Sequence, residues 1–461
     1  MRNLAAIQWA LCASFFLLSC ERNQAAPEPE PEGVPTEAPA DAEAGTEKAA
    51  PNEKDTALPP SPPGLPDSLP KSLLLAFSQF EVVDGQATAK PGPARLEILT
   101  REGGEWKTEV IEDPQSNVFH KAMPMKPRGE PPGILTLGGS GAHVKLWRPV
   151  KGEPKATALW SAEFGGKFNR MRDAEMADVY GDGPDELVVA THDQGVVAVL
   201  RQRPNNKWKV ERIDKKKDTF VHEIEIGDLS GDGVLEVYAT PSDPNKLDAE
   251  AQHGEVVRYV PKTGEGPTVV ADLGSRHAKE IYVGDVDGDG RDELYVAVEA
   301  LTSGRGASLE IVEPVEIRRY DADTAPDAGA VIATIPDRLS RFLTVGDVDG
   351  DGKKAMVVAS FSTGLWLLRP GKDPKGEWGI ENIDRDSGGF EHAALFADLD
   401  GDGIDELYVA ADNQGELRRY VWVNGRAKRE VIQKRDIPMS RMTWNITEAP
   451  KDPFATEPEA K

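Results

Sequence analysis

The segment that decides the fold is Asp285-Val286-Asp287-Gly288-Asp289-Gly290-Arg291-Asp292-Glu293, an acidic loop with two glycines. Carboxylates stand at its positions 1, 3, 5 and 9, and glycine at position 6 permits a sharp turn that points them inward. An apolar run typical of a buried strand, residues 294–297, follows at once. Because position 12 is Val296 and both flanks are strand-like, the segment is not an EF-hand. The spacing predicts a cation-binding turn between two strands.

The same loop occurs five times in the chain. Its copies begin at Asp178, Asp228, Asp285, Asp347 and Asp398, which are 50, 57, 62 and 51 residues apart. Each copy has a short strand-like run before it and an apolar run after it, and two more strand-like runs complete the unit. Four short strands in a repeat of this length are typical of one blade of a β-propeller.

Two further units lack the loop aspartates. Residues 121–165 keep the strand-like runs, whereas residues 71–113 hold only three of them. We predict that residues 442–446 supply the missing inner strand, because a C-terminal strand in the first blade closes the ring. The predicted fold is therefore all-β, a seven-bladed β-propeller over residues 71–447. Six or eight blades stay open as alternatives, since these two units are degenerate.

The first twenty residues predict export. A basic start precedes an apolar run, residues 4–18, that is too short to span a bilayer comfortably. The run ends in Leu17-Leu18-Ser19-Cys20, which resembles the bacterial lipobox. The resemblance implies a signal peptide over residues 1–19 and acylation of Cys20. Because Glu21 follows rather than aspartate, we expect an outer-membrane lipoprotein on the periplasmic or cell-surface face. An ordinary signal peptide is the alternative.

Residues 20–70 have the composition of a linker. Positions 21–70 contain 12 prolines, 11 acidic and 3 basic residues and no aromatic residue. Such a segment buries too little apolar surface to offset its ordering entropy, so we predict a disordered spacer. Residues 448–461 are predicted to be a second, short disordered tail.

Composition excludes several classes of function. The net charge of −25 argues against binding nucleic-acid phosphates. Both cysteines, Cys12 and Cys20, precede the globular part, which therefore has no disulfide, thiolate metal site or cysteine nucleophile. The histidines form no His-Glu-x-x-His motif. The sequence thus predicts no catalytic residue.

The acidic loops resemble the FG-GAP/VCBS repeats of integrin α-chains and bacterial surface proteins, over about residues 120–435. In that family the loop joins the first two strands of a blade and binds Ca²⁺. The resemblance implies two complete sites: Asp285, Asp287, Asp289 and Glu293, and Asp398, Asp400, Asp402 and Glu406. It implies three weaker ones: Asp347, Asp349 and Asp351 with Ala355 at position 9; Asp228, Ser230, Asp232 and Glu236; and Asp178, Asp182 and Glu186 with Tyr180 at position 3. Polar turns without an ion are the alternative.

A second candidate site lies six residues before the first aspartate of each loop. The residues at this position are Arg172, His222, Lys279, Arg341 and His392. The position begins the innermost strand, near the channel mouth and opposite the acidic loops. A ring of cations there would bind an anion such as a uronate, a sulfated sugar or a protein carboxylate. The alternative is that these residues are solvated strand ends or pair with nearby acids such as Glu223, Glu280 and Glu391.

Together these patterns predict a membrane-anchored, calcium-stabilised module that binds a glycan or a protein partner. A glycan-active enzyme at the channel mouth, similar to a polysaccharide lyase, is the alternative.

Overall fold

The computed structural model describes residues 64–165, 169–192, 194–243, 253–304 and 308–455. These residues form 31 β-strands and no α-helix, which confirms the all-β prediction. Within the described ranges, no helix is long and apolar enough to cross a membrane. The predicted signal peptide, Cys20 and most of the predicted linker lie outside these ranges.

The strands form seven antiparallel groups of four in the described part of the chain, named here blades 1–7 and given from the innermost strand outward. Blade 1 is β31 (Arg441–Pro450), β1 (Lys71–Val83), β3 (Ala94–Glu102) and β4 (Glu105–Asp113). Blade 2 is β5 (Val118–Met125), β6 (Gly133–Gly139), β7 (Ala142–Val150) and β8 (Glu153–Ala162). Blade 3 is β9 (Met171–Ala177), β10 (Glu186–Thr191), β11 (Val196–Gln202) and β12 (Trp208–Lys215).

The remaining blades repeat this order. Blade 4 is β13 (Phe220–Gly227), β14 (Glu236–Ser242), β15 (Glu255–Val260) and β16 (Glu265–Asp272). Blade 5 is β17 (Ala278–Gly284), β18 (Glu293–Val298), β21 (Val315–Tyr320) and β22 (Ala330–Ile335). Blade 6 is β23 (Ser340–Gly346), β24 (Ala355–Ser360), β25 (Leu365–Arg369) and β26 (Gly379–Asp384). Blade 7 is β27 (Ala394–Ala397), β28 (Glu406–Ala411), β29 (Glu416–Val423) and β30 (Arg426–Lys434).

The innermost strands contact one another in a closed cycle, in the order β31, β5, β9, β13, β17, β23 and β27. The blades therefore surround a central channel, as in a β-propeller. The second strands β10, β14, β18, β24 and β28 are buried along their whole length. Sheets that pack face to face cover both sides of these strands, which explains the consecutive apolar residues within them.

The C-terminal strand completes blade 1, as predicted. Strand β31 pairs antiparallel with β1 from Lys71 opposite Pro450 to Gln79 opposite Arg441. Trp444 is buried there, and its indole Nε1 donates a hydrogen bond to Ser78 Oγ at 2.9 Å.

The observed boundaries of the domain differ from the predicted ones at both ends. Strand β31 runs to Pro450, three residues into the predicted tail 448–461, because its ladder with β1 continues that far. Leu65 and Leu69 of the predicted linker are buried in the cluster between blades 7 and 1. The apolar side chains of these short segments pack into the core of the domain, so the segments belong to it.

The two ends of the channel carry different connections. Each acidic loop joins the innermost strand of its blade to the second strand, so all five loops lie at one end, the loop face. Two hairpins extend the turn between the second and third strands at the opposite end, the hairpin face. Strand β2 (Gln86–Pro91) pairs with the end of β1 in blade 1, and β19 (Leu301–Ser303) pairs with β20 (Glu310–Glu313) in blade 5.

Candidate functional site

The same internal hydrogen bond occurs in each of the five acidic loops. The backbone N–H of the glycine at position 6 donates to the carboxylate of the first aspartate, at 2.7–2.9 Å in every copy. The glycines at positions 4 and 6 have φ between +67° and +106°, a region that favours glycine. The backbone of each loop therefore holds its first aspartate, whatever residues stand at positions 3 and 9.

Two of the loops bring their carboxylates close enough to share one ion. Oxygens of Asp285, Asp287, Asp289 and Glu293 lie within 4.8 Å of one another. Oxygens of Asp398, Asp400 and Asp402 do the same, and the predicted fourth ligand Glu406 falls outside this group. The other three loops, all within the described residues, form no such group.

The donor chemistry of these two groups fits a hard cation. Carboxylate oxygens in a flexible loop are the ligands that Ca²⁺ prefers. Burial raises the pKa of Glu293 to about 7, although Arg319 opposes the rise. Burial and the adjacent Asp402 raise the pKa of Asp400. A bound cation would lower these pKa values by favouring the charged form.

In blades 4, 5 and 7, a tyrosine and an arginine hold the glutamate at position 9. In blade 5, Tyr295 Oη donates to Glu293 Oε2 at 3.0 Å, and Arg319 Nη2 lies 3.2 Å from Glu293 Oε1. The other two blades repeat this arrangement with Glu406, Tyr408 and Arg419, and with Glu236, Tyr238 and Arg258. The tyrosine lies two residues after the glutamate, on the same face of the second strand.

This arrangement of a tyrosine and an arginine around the loop glutamate, called here the brace, was not predicted from the sequence. Its residue pattern is nevertheless present there. A Glu-x-Tyr pattern follows three of the loops. An Arg-Tyr pair recurs on the third strands of the same blades, at Arg258, Arg319 and Arg419. Both patterns repeat once per blade, so an alignment of the units beyond the loop would have found them.

The residues of the predicted cation ring lie where each innermost strand departs from regular pairing. In β9, Asp173 pairs with Ala190 and Met171 with Thr191, which leaves Arg172 as the extra residue of a β-bulge. The register shifts likewise at His222, Lys279 and Arg341. His392 lies just before β27 and has φ of +57°. A bulge changes the direction in which a side chain points. The bulges therefore explain why the side chains of these five residues, called here the tier, point toward the channel.

The tier at the bulges is buried and balanced by acids of the protein itself. Glu391 Oε1 lies 2.8 Å from Arg341 Nη1, and its Oε2 lies 3.4 Å from Arg172 Nη2. Glu391 and Arg341 belong to the neighbouring blades 7 and 6, whereas Arg172 belongs to blade 3, so the Arg172–Glu391 pair crosses the channel. Lys279 Nζ lies 3.9 Å from Glu299 Oε2.

The two histidines of the tier are neutral at neutral pH, which differs from a ring of five cations. Burial lowers the pKa of His392 to about 4, and it lowers the pKa of His222 well below the ordinary value. His392 Nδ1 donates to the carbonyl of Ser360 at 2.8 Å, and its Nε2 lies 2.8 Å from Ser387 Oγ. Burial beside Arg341 lowers the pKa of Lys279 to about 7.

The channel next to this tier is narrow. A cavity of about 20 Å³ lies among side chains that include Lys121, Asp173 and Glu280. A cavity of this volume holds about one water molecule and no sugar ring. Lys121 Nζ lies 2.9 Å from Asp173, and burial raises the pKa of Glu280 well above its ordinary value.

Residues 347–409 match the FG-GAP-like repeat family, which confirms the predicted resemblance for this part of the chain. No curated protein matches the sequence. A protein from Lactobacillus plantarum is similar in structure, with a TM-score of 0.50, 11% identity, and coverage of 82% of this chain and 99% of that one. An Agrocybe aegerita lectin that recognises non-reducing terminal N-acetylglucosamine gives a TM-score of 0.48, 13% identity, and coverage of 85% and 97%. At such identities the likeness to the Lactobacillus protein concerns the fold alone.

Proposed function

We propose that this β-propeller, which contains an FG-GAP-like repeat, is a calcium-stabilised binding module that a lipidated Cys20 holds at a bacterial outer membrane. The observation that carries the calcium part is the convergence of oxygens from Asp285, Asp287, Asp289 and Glu293 within 4.8 Å. The second group, at Asp398, Asp400 and Asp402, supports the same function.

The proposed role of the ion is structural. When bound, Ca²⁺ supplies the positive charge that three or four facing carboxylates need. The aspartates would hold it at the turn between the innermost and second strands, while Tyr295 and Arg319 keep Glu293 in place. The ion would therefore favour the folded loop over the unfolded chain by mass action.

The hairpin face supports the binding part of the proposal. The two most exposed large apolar side chains of the described residues are Val312 (57% exposed) and Val83 (53%). Each lies beside a second exposed apolar residue, Ile311 and Val82, and each pair belongs to one of the two hairpins. These exposed apolar side chains on the two hairpins are the feature of this face on which the proposal rests. We propose this face as the site for a glycan or protein.

The narrow channel argues against a site inside it, either for binding a sugar or for cleaving one. Its cavity has room for about one water molecule, so a sugar ring does not reach the carboxylates inside. Arg172 and Arg341, which an acidic ligand would need, are already paired with Glu391.

Two measurements test this proposal. Fractionation of cells should find the full-length protein in the outer membrane and the Cys20→Ala variant in the soluble fraction. Cross-linking of intact membranes, read by mass spectrometry, should recover a partner through the hairpins, and Val83→Asp with Val312→Asp should weaken its capture. The matched control is Val431→Asp, at an exposed apolar residue on β30 of blade 7.

A panel of neutral and anionic polysaccharides, scored for binding and for chain length, separates the two classes of function. Binding without shortening supports a module, whereas shortened chains would establish the enzyme alternative. Membrane retention of Cys20→Ala would contradict the anchor.

A further inference from the structure

The third strand of each loop-bearing blade carries an arginine, in one of two registers. Arg258, Arg319 and Arg419 pair across the ladder with Tyr238, Tyr295 and Tyr408, two residues beyond the loop glutamate.

In blades 3 and 6 the arginine lies two residues nearer the loop. Leu187 pairs with Leu200, so the next residue, Arg201, stands opposite position 9 of its loop. Met356 pairs with Leu368, which places Arg369 in the same position. These are the two blades that lack the brace tyrosine, since Val188 and Val357 stand in its place.

Arg201 contacts the loop side chains at positions 3, 5 and 9. Its Nη2 is hydrogen-bonded to Asp182 Oδ2, and its Nε lies 3.0 Å from Glu186 Oε1. Its guanidinium carbon lies 4.8 Å from the centre of the Tyr180 ring. In the loop at Asp285, the residues at the same three positions contribute oxygens to the acidic group. In that loop Arg319 also contacts positions 3 and 9, with Nη1 2.6 Å from Asp287 Oδ2. Arg201 contacts two of the three carboxylates at the ligand positions of its loop, whereas Arg319 contacts two of four, so the loop at Asp178 has less negative charge left for an ion.

The loop at Asp347 has a weaker form of the same arrangement. Arg369 Nη2 lies 3.8 Å from Asp349 Oδ2 at position 3, and Lys353 Nζ lies 2.8 Å from Asp351 Oδ2 at position 5. Both pairs are more exposed than the pair of Arg201 with the buried Glu186, so each contributes less than that pair.

We infer that Arg201 is the built-in cation of the loop at Asp178, and that blade 3 therefore needs no calcium. The inference rests on the proposed calcium function of the loops at Asp285 and Asp398, and it identifies the loop at Asp178 as one that does not bind the ion. A guanidinium offers a planar set of donors to two carboxylates and stacks on an aromatic ring, which matches Asp182, Glu186 and Tyr180. A divalent ion at the same oxygens would face a fixed positive charge. Tyrosine at position 3 is thus the partner that suits an arginine-filled loop.

The test counts calcium ions bound by the full-length protein. Equilibrium dialysis against radioactive calcium should give two ions for the native protein and for Tyr180→Asp, since Arg201 still occupies the loop. The double variant Y180D/R201Q should bind a third ion, because position 3 regains a carboxylate and the guanidinium is gone. A third ion in Tyr180→Asp alone, or two ions in a folded double variant, would overturn the inference.

Thermal unfolding supplies a measurement that does not depend on the double variant. Arg201→Gln should lower the melting temperature by about 1 °C in EDTA, since the shift per lost ion pair is small in a domain of this size. The exposed Arg203→Gln, two residues further along the chain, should leave it unchanged. Equal melting of Arg201→Gln and native protein in EDTA would also overturn the inference. If the native protein binds no calcium at all, the proposed function fails, and the EDTA comparison still decides the role of Arg201.

Discussion

The two ends of each innermost strand balance charge in different ways. At the loop face, the carboxylates at Asp285 and Asp398 converge at a partly exposed turn. Toward the hairpin face, Glu391 lies between Arg172 and Arg341 in the buried channel. The loop face has more carboxylates than Arg319 and Arg419 neutralise, so under the proposed function it takes up a cation from solution, whereas the channel end carries its own counter-charges. Dependence on calcium should therefore belong to the loop face alone.

The channel end should give the largest effect. Glu391→Ala removes the carboxylate between two buried guanidinium groups, and breaking a buried pair in this way costs about 3–5 kcal/mol. We expect a loss of about 3 kcal/mol in the free energy of unfolding, measured by urea denaturation, because Trp444 still stacks on Arg172. The loss should be the same with calcium and with EDTA.

The exposed Glu377→Ala is the matched control for that change and should be neutral. A Glu391→Ala protein as stable as the native one would show that the pairs of Glu391 with Arg172 and Arg341 do not hold the blades together. A loss of stability that appears only in EDTA would contradict the expectation that dependence on calcium belongs to the loop face alone.

The loop face should give a smaller effect that depends on calcium. With about 2 mM free calcium and a dissociation constant near 0.1 mM, one site contributes about 1.8 kcal/mol. Asp287→Ala should lower the free energy of unfolding in EDTA, because it breaks the buried pair of Asp287 with Arg319, and by about 1.8 kcal/mol more in calcium. Tyr180→Ala, at the same position of the loop that Arg201 fills, should change stability equally in both. Equal calcium responses in the two variants, measured by urea denaturation, would remove the distinction between the loops.

The smallest expected effect concerns pH and His392. Its pKa of about 4 in the folded protein lies below the ordinary value of 6.5, so the unfolded chain binds the proton first as pH falls. The stability that His392 contributes is therefore complete above pH 6.5 and is lost as pH falls toward 4. At pH 5.5 the loss is about 1 kcal/mol for this residue.

His392→Asn isolates that contribution, because asparagine tolerates the positive φ at this position. The stability difference between the native protein and the variant should shrink by about 1 kcal/mol between pH 7.5 and 5.5 in urea titrations. A constant difference over this range would show that His392 titrates normally.

The sequence predicted the features that depend on local pattern. Loop spacing and apolar strand runs indicated the blades, and the shortage of strands in residues 71–113 indicated that residues 442–446 close the ring, as β31 does. The channel network could not be predicted in the same way. Arg172 and Glu391 are 219 residues apart, and their contact depends on how the blades face each other.

The bulges also cannot be predicted from the periodicity of the sequence. One extra residue at Arg172 or Lys279 shifts the alternation of the strand, so the face of each side chain cannot be counted from the loop. Burial then made His222 and His392 neutral, although their positions in the repeat had suggested cations.

Calorimetry of the full-length protein with and without EDTA decides whether calcium in the acidic loops stabilises the propeller. Two sites together should contribute about 3–4 kcal/mol at millimolar calcium, so EDTA should lower the melting temperature by several degrees. Magnesium at the same concentration should restore it poorly, because it demands stricter octahedral geometry. The double variant D287A/D400A should show most of this response removed. Traces that overlay with and without EDTA would contradict the account, and the loops would then be polar turns.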